Sequence, residues 1–226
     1  MSMEYLGDTM DIHTGGEDNI FPHHEAEIAQ SEGATGKKFV NYWVHLRHLL
    51  VDGAKMSKSK GNFYILDNIK EKGFDANVLR LAILSAHYRS SMNFTWKSMD
   101  QAKVNLGRIA DWISGLKSVL SENPNSGLNL EKYQKQFEEA MDDDLNTPLA
   151  LSVLYELITD TNKLIFQDKL GREEAKNILD LWEKMNKVFG LVMKKEEIPQ
   201  EIVKLAEERK AAKENKDFSK SDELRK

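Results

Sequence analysis

The sequence predicts a mainly α-helical protein with a small α/β part at its N-terminal end. Glycines, histidines and short β-prone runs concentrate in residues 1–64, whereas the rest of the chain repeats apolar residues at helical spacing. With 226 residues, of which 40% are hydrophobic, the chain is long enough for one large core or two small ones. We therefore expect an α/β region followed by a helical region.

Composition limits the cellular compartments in which we expect the protein and the ligand types that a metal site could use. No stretch approaches the roughly 20 apolar residues that span a bilayer. The N-terminus also lacks the layout of a signal peptide, so we expect a cytoplasmic protein with no membrane partner. Because the chain has no cysteine, a zinc site built from it alone would use histidine and carboxylate ligands. The net charge of -5 disfavours RNA binding only weakly, since the clustering of basic residues matters more than their sum.

Turn and strand signals mark the elements of the N-terminal region. β-prone residues before a glycine pair predict a strand, proline suits the first turn of a helix, and Asp-Gly suits a hairpin turn. The predicted elements are a strand over Thr9–His13, a helix from Pro22 to Gly33 or Gly36, strands within Asn41–Val51 and a turn at Asp52-Gly53.

The helical region divides at a turn-rich stretch, Ser121–Gly127. Before it we predict helix N-caps at Asp67 and Asp75, and a long helix whose apolar stripe runs from Met99 to Leu120. After it the predicted helices are Leu130–Met141, Pro148–Phe166 and Glu173–Phe189, with a charged, solvated helix from Lys194 onward.

The segment Lys55-Met56-Ser57-Lys58-Ser59, followed by Lys60-Gly61-Asn62, concentrates lysines beside small hydroxyl residues. Lysines place mobile positive charges on oxygens whose negative charge grows in a transition state, and small residues let the backbone approach closely. The segment is therefore a candidate polyphosphate-binding loop. An ordinary solvated basic turn is the alternative.

Histidines form a second cluster, with five of the six lying between His13 and His48. On a helix, His23 and Glu27 are four residues apart, so their nitrogen and oxygen can converge on one cation. By the same spacing, His24 and Glu25 face elsewhere. A surface ion pair is the alternative interpretation of His23 and Glu27.

These motifs resemble a known family. The five-residue lysine segment matches the KMSKS signature of class I aminoacyl-tRNA synthetases. The segments Asp11–Asp18, Phe21–Gln30, Tyr42–His45 and Val51–Gly53 resemble cysteinyl-tRNA synthetases in particular. The resemblance covers nearly the whole chain and implies the second half of a Rossmann-like catalytic core followed by an α-helical bundle.

The resemblance also implies roles for individual residues. By this resemblance we expect Lys58 to contact ATP and Lys55 to assist it, as members of a loop that closes on ATP. The implied positions are Met56, Ser57, Lys58 and Ser59 on ATP; Gly15, Gly16 and Asp18 on the adenosine side; His23 and Glu27 on zinc; and His13, His24, Trp43 and His45 lining the substrate pocket.

The implied reaction of the parent enzyme joins cysteine and ATP into cysteinyl adenylate and transfers the cysteine to tRNA(Cys). Zinc prefers sulfur, so a zinc-bound thiolate would select cysteine without an editing site. The expected domains are the C-terminal half of the nucleotide-binding core (residues 1–64), a stem-contact helical region (65–121) and a helical tRNA-binding domain (122–226). We expect the parent to be monomeric.

The chain also departs from the family. The family's two cysteine zinc ligands and its HIGH motif lie upstream of the position that Met1 matches, so we expect a fragment that binds zinc weakly and does not activate cysteine alone. Smaller departures are Arg47-His48, Ala54 and Lys60.

Some alternatives stay open. The related cysteine ligase of mycothiol synthesis resembles the same motifs, and a catalytically silent RNA-binding or interaction module is a rival from another class. Arg80, His87 and Arg89 suit either tRNA phosphates or internal capping and core hydrogen bonds. We interpret Trp182 and Phe189 as core residues and not as base-stacking platforms.

Overall fold

The computed structural model describes residues 2–122 and 126–192, together with positions 205, 208 and 209. Contacts divide the chain into two units, Met1–Leu191 and Val192–Lys226. Almost all of the helix predicted from Lys194 lies outside the described residues, and the three isolated positions are helical. In the part of the chain that the structure describes, no helix is both long and apolar enough to cross a membrane.

The N-terminal part is a parallel strand pair joined by a helix. After a short helix α1 (Ser2–Leu6), strand β1 (Met10–Gly16) leads through two short turns into α2 (Glu25–Thr35), and β2 (Val40–Leu46) pairs with β1 in parallel. The start predicted at Pro22 agrees with the backbone, since Phe21 before it is extended (φ -132°, ψ 132°) and is the non-helical residue within Ile20–His24, while the regular α-helix runs from Glu25. Its end is confirmed, since Gly36 adopts the left-handed conformation with φ 66°.

A second, three-stranded sheet follows. Its strands are β3 (Leu50–Val51), β4 (Ala54–Lys55) and β5 (Asn93–Phe94), in the order β4-β3-β5. The predicted Asp52-Gly53 turn is confirmed, with φ angles of 49° and 78° that suit a tight hairpin. Strand structure does not run unbroken through Asn41–Val51, because residues 47–49 lie outside both sheets and connect β2 to β3.

Six helices dominate the described remainder of the chain. Asp75 caps α4 as predicted, accepting a hydrogen bond of 2.9 Å from the backbone nitrogen of Asn77. Asp67 is not a cap, since it lies inside α3 and Asn68 instead accepts a bond of 3.0 Å from the backbone nitrogen of Ile65. The helices are α3 (Leu66–Glu71), α4 (Ala76–Leu84), α5 (Trp96–Lys117), α6 (Leu130–Asp142), α7 (Thr147–Phe166) and α8 (Arg172–Phe189).

The helical core forms where α5, α6, α7 and α8 pack together. Trp112 and Trp182 meet edge to face at 6.0 Å, and Phe137 and Phe189 do so at 5.5 Å. Trp182 and Phe189 are buried, which confirms them as core residues. Leu120 is 71% exposed, because α5 ends at Lys117 before the predicted stripe is complete.

Candidate functional site

Four rings gather on one face of the β1–β2 sheet. The parallel register places His13 opposite Trp43 and Gly15 opposite His45. The ring centroids of His13 and Trp43 lie 4.7 Å apart and stacked, and those of Trp43 and His45 lie 5.8 Å apart. Strand alternation thus places residues two apart on the same face, where they line one surface.

His24 covers this surface from the turn before α2. It is 6% exposed, its ring centroid lies 4.8 Å from that of Trp43, and its Nδ1 lies 2.8 Å from Nε2 of His45. A Cβ atom on Gly15 would come within 2.6 Å of the His24 ring. Glycine is therefore required at position 15, because any side chain there would displace His24.

Burial, together with the neighbouring His13, lowers the pKa of His24 below its ordinary value. The imidazole is therefore uncharged near neutral pH, which is the form that binds metal ions. Its hydrogen bond with His45 holds a single proton between the two facing nitrogens, so one ring donates and the other accepts.

Glu27 brings a carboxylate to the same place. Its Oε2 lies 3.0 Å from Nε2 of His13, and ligand atoms from His13, His24 and Glu27 all lie within 4.8 Å of one another. Two imidazole nitrogens and one carboxylate oxygen match the ligands that zinc takes in proteins. This group therefore fits a divalent transition metal by its donor chemistry.

The structure groups these side chains differently from sequence spacing. His24 does not face away, since it joins Glu27 and His13, whereas His23 is exposed and is not a member of this group. Phe21 interrupts the backbone before α2, but His24 already has helical angles (φ -69°, ψ -33°), so His24 and Glu27, three residues apart, lie on one helical face. The three-residue spacing between His24 and Glu27 could have predicted their contact from the sequence. No local pattern connects His13, on β1, to Glu27.

The glycine loop, residues 15–18, consists of the last two residues of β1 and the first two of the helical turn that follows. A Cβ atom on Gly16 would lie 2.5 Å from Oδ1 of Asp18, so the aspartate folds back over the glycine backbone. Asp18 is exposed within a short helical turn over Glu17–Asn19. The loop thus presents bare backbone beside an exposed carboxylate, close to the ring cluster.

The lysine loop, residues 55–59, is held in shape by one amide side chain. Asn62 accepts a bond of 2.9 Å from the backbone nitrogen of Ser57 and donates one of 3.3 Å to the carbonyl of Lys55. The hydroxyl oxygens of Ser57 and Ser59 lie 2.7 Å apart. Met56 is partly buried against the core beneath and anchors the loop.

The charged ends of Lys55 and Lys58 are exposed. Nζ of Lys55 lies 3.5 Å from Nε2 of His48, and Nζ of Lys58 lies 5.3 Å above the ring of Phe63. Among the described residues, no carboxylate lies within ion-pair distance of either ammonium. Both positive charges are therefore available to an anionic ligand.

Two family models match this chain. The model described as tRNA synthetases class I (C) catalytic domain matches residues 1–104, which include the ring cluster and both loops. The model described as DALR domain matches residues 136–194, which include α7 and α8.

Full-length relatives point the same way. A cysteine–tRNA ligase from Chlamydia felis (strain Fe/C-56) is 42% identical over 231 residues, and one from Finegoldia magna (strain ATCC 29328) is 44% identical over 234 residues. Both alignments cover 100% of this chain. The chain belongs to the cysteine–tRNA ligase family. It spans 48% of the Chlamydia felis relative and 49% of the Finegoldia magna relative, about half of their length.

A solved structure supports the fold of this ligase-family chain. The Agrobacterium radiobacter K84 agnB2 LeuRS, in its ternary complex with tRNA and LeuAMS, matches with a TM-score of 0.62 over 80% of this chain and 25% of that one. Sequence identity is 14%, so the match concerns the fold alone.

The three residues of the ligase-family chain considered for RNA contact all have internal neighbours. Arg89 forms an ion pair of 2.6 Å with Asp144, and its backbone nitrogen donates to His87. A hydrogen bond from Tyr88, supported by the charge of Arg89, lowers the pKa of Asp144. The guanidinium of Arg80 lies beside Gly190 at the end of α8, where a cation is favourable. Internal contacts therefore account for these residues without RNA.

Proposed function

We propose that this chain supplies the lysine loop and the amino-acid pocket of a cysteine–tRNA ligase. The parent enzyme joins the carboxylate of cysteine to the α-phosphate of ATP, releases pyrophosphate, and then transfers the cysteinyl group to tRNA(Cys). The observation that supports this most is the presence in one chain of the His13–His24–Glu27 group and of two lysines, Lys55 and Lys58, that form no ion pair with a carboxylate among the described residues.

The metal proposal centres on Glu27. In the resemblance its histidine partner is His23, and in the structure the nitrogens beside it belong to His13 and His24. A bound zinc ion would take the cysteine sulfur as a thiolate and so favour cysteine over serine. Trp43 and His45, which stack on one another beside His24, would enclose the amino acid.

The nucleotide proposal rests on the two loops. Lys58, assisted by Lys55, would offset negative charge that grows on the phosphates during adenylate formation, and no covalent enzyme intermediate is needed. The backbone and hydroxyls of Met56, Ser57 and Ser59 would line the phosphates. Gly15, Gly16 and Asp18 would receive the adenosine, since glycine backbone permits close approach.

tRNA would engage the helical regions, residues 65–121 and 122–226. The DALR match over residues 136–194 favours a tRNA ligase over the mycothiol-type cysteine ligase, and the cysteine–tRNA ligase relatives favour it over a silent interaction module. The boundaries at residues 64 and 121 stay predictions.

Pyrophosphate exchange tests the proposal. With cysteine and ATP, the chain alone should show no exchange, whereas a protein extended to the full length of the Chlamydia felis relative should show it. Lys58→Ala in the extended protein should lower the rate about a hundredfold or more, because one positive charge on the transition state is lost. Lys60→Ala, which removes the lysine two residues after Lys58 and outside the proposed contacts, is the control. Exchange by the chain alone, or an unchanged rate for Lys58→Ala, would contradict the proposal.

A further inference from the structure

A short segment, Arg47–Leu49, connects β2 to β3 and lies between the glycine loop and the lysine loop. Its first two side chains each contact one of these loops. Arg47 and His48 depart from the family's pattern, so the resemblance assigns them no role. Their contacts therefore need an explanation from this structure.

Arg47 reaches the glycine loop. Its Nε lies 3.0 Å from Oε2 of Glu17, with the two side chains 53% and 33% exposed. Glu17 directly follows Gly16, so the ion pair links the end of β2 to the loop that ends β1. A pair this exposed contributes little to the stability of the fold, but it biases where a short loop rests.

His48 reaches the lysine loop. Its Nε2 lies 3.5 Å from Nζ of Lys55, and the β3–β4 register places Lys55 opposite Leu50 on the neighbouring strand. An ammonium group only donates hydrogen bonds, so the imidazole nitrogen accepts. Within the described residues, His48 is the polar side chain that the ammonium of Lys55 contacts.

The backbone of this segment is hydrogen-bonded to a neighbouring stretch of the chain at both of its ends. The nitrogen of Arg47 donates a hydrogen bond of 2.9 Å to the carbonyl of Tyr88, and the nitrogen of Leu50 donates one of 2.8 Å to that of Met92. Both acceptors belong to the stretch between α4 and β5. These hydrogen bonds hold the backbone of the segment in place, while the side chains of Arg47 and His48 extend to the two loops.

We propose that Arg47 and His48 are positioning residues that hold the glycine loop and the lysine loop at a set separation, so that one nucleotide can engage both. The inference rests on the proposed function, which requires both loops to serve the same nucleotide. Arg47 sets the glycine loop through Glu17, and His48 orients the ammonium of Lys55.

Amide hydrogen exchange tests the Arg47 contact without any ligand. Arg47→Glu should speed exchange of the amides in residues 16–19 about two- to fivefold, the range expected for losing an exposed ion pair. Combining Arg47→Glu with Glu17→Arg should restore the slower exchange, which a general loss of structure would not do. Amides of α7 serve as the internal reference. Unchanged exchange in the single variant, or no rescue in the double variant, would overturn the role of Arg47.

Lysine acylation tests the His48 contact. The hydrogen bond to His48 restricts the amine of Lys55, so His48→Leu should free it and raise its acylation rate about twofold or more. His48→Gln retains an acceptor and should restore the slower rate, with Lys58 and Lys60 as internal references in the same protein. Equal changes at all three lysines, or none at Lys55, would overturn the role of His48.

Protection by ATP separates this inference from the proposed function. If ATP fails to slow exchange in either loop of the full-length extended protein while both rescues hold, the nucleotide function fails and the positioning contacts stand. If ATP protects both loops but neither rescue occurs, the function stands and the positioning role is wrong.

Discussion

His24 occupies the centre of the ring cluster, and its surroundings show how individual residues shape the candidate site. The absence of a side chain at Gly15 leaves the space that its ring fills. Burial lowers the pKa of His24 and keeps the ring uncharged, while His45 accepts or donates the proton of the shared hydrogen bond. These features suit a metal-binding or substrate-lining histidine better than a surface one.

Metal affinity is a prediction at the residue scale. Glu27→Gln should weaken zinc binding about tenfold or more, because the carboxylate is lost from a small donor set. The matched control is Glu25→Gln, which neutralises an exposed carboxylate two residues away on the same helix and should change affinity less than twofold. Titration against a chelator of known affinity measures both variants.

Single histidine variants then identify the nitrogen ligands. If His24→Ala weakens zinc binding and His23→Ala does not, the group that the structure brings together holds the ion. The opposite result would favour the pair implied by the resemblance. Zinc affinity that is unaffected by Glu27→Gln would contradict the metal proposal altogether.

At the scale of elements, helix packing depends on a buried hydrogen bond between α5 and α7. Nε1 of Trp112 donates to Oγ1 of Thr161 at 2.8 Å, and the same hydroxyl donates to the carbonyl of Leu157 at 2.6 Å. Thr161 is 0% exposed, so no water replaces either bond. The indole N–H has this hydroxyl as its buried partner, which makes the contact sensitive to substitution.

Thr161→Val should lower the free energy of unfolding by about 1–3 kcal/mol, because the indole N–H of Trp112 is left buried and unpaired. Thr159→Val is the matched control. The Thr159 hydroxyl bonds the carbonyl of Tyr155 in the same way at 2.8 Å but lies on the exposed face of α7, so its loss should cost less than about 0.5 kcal/mol. Urea unfolding with equal m-values gives both differences, and equal losses would contradict the role of the buried bond.

At the scale of the whole molecule, the first sheet has one open face. Ile12 and Tyr42 pair across β1 and β2 and are 61% and 71% exposed. Parallel strands are ordinarily covered on both faces, and this chain spans about half the length of its relatives. The ring cluster occupies the other face of this sheet, because His13 and Trp43 alternate with Ile12 and Tyr42 along the two strands.

tRNA binding is a prediction at this scale. Because the helical regions would contact mainly phosphates, we expect the chain to bind tRNA weakly, with an affinity that falls about tenfold or more between roughly 50 and 200 mM salt. Filter binding or anisotropy over a salt series measures this, with a single-stranded RNA of equal length as the control. Salt-independent binding, or none at low salt, would favour an interaction module.

The sequence alone determined the helices, the Asp52-Gly53 turn, the helix end at Gly36 and the position of the lysine loop, because each depends on a local pattern of apolar residues, glycine and lysine. The grouping of His13 with His24 and Glu27, and the contacts of Arg47 and His48, were decided by tertiary structure. These contacts bring together residues from separate elements, such as His13 on β1 and Glu27 on α2, so spacing within one element could not predict them. A periodic pattern of apolar residues predicts which face of one helix or strand is buried. Only the packing of two such elements decides which side chains come into contact.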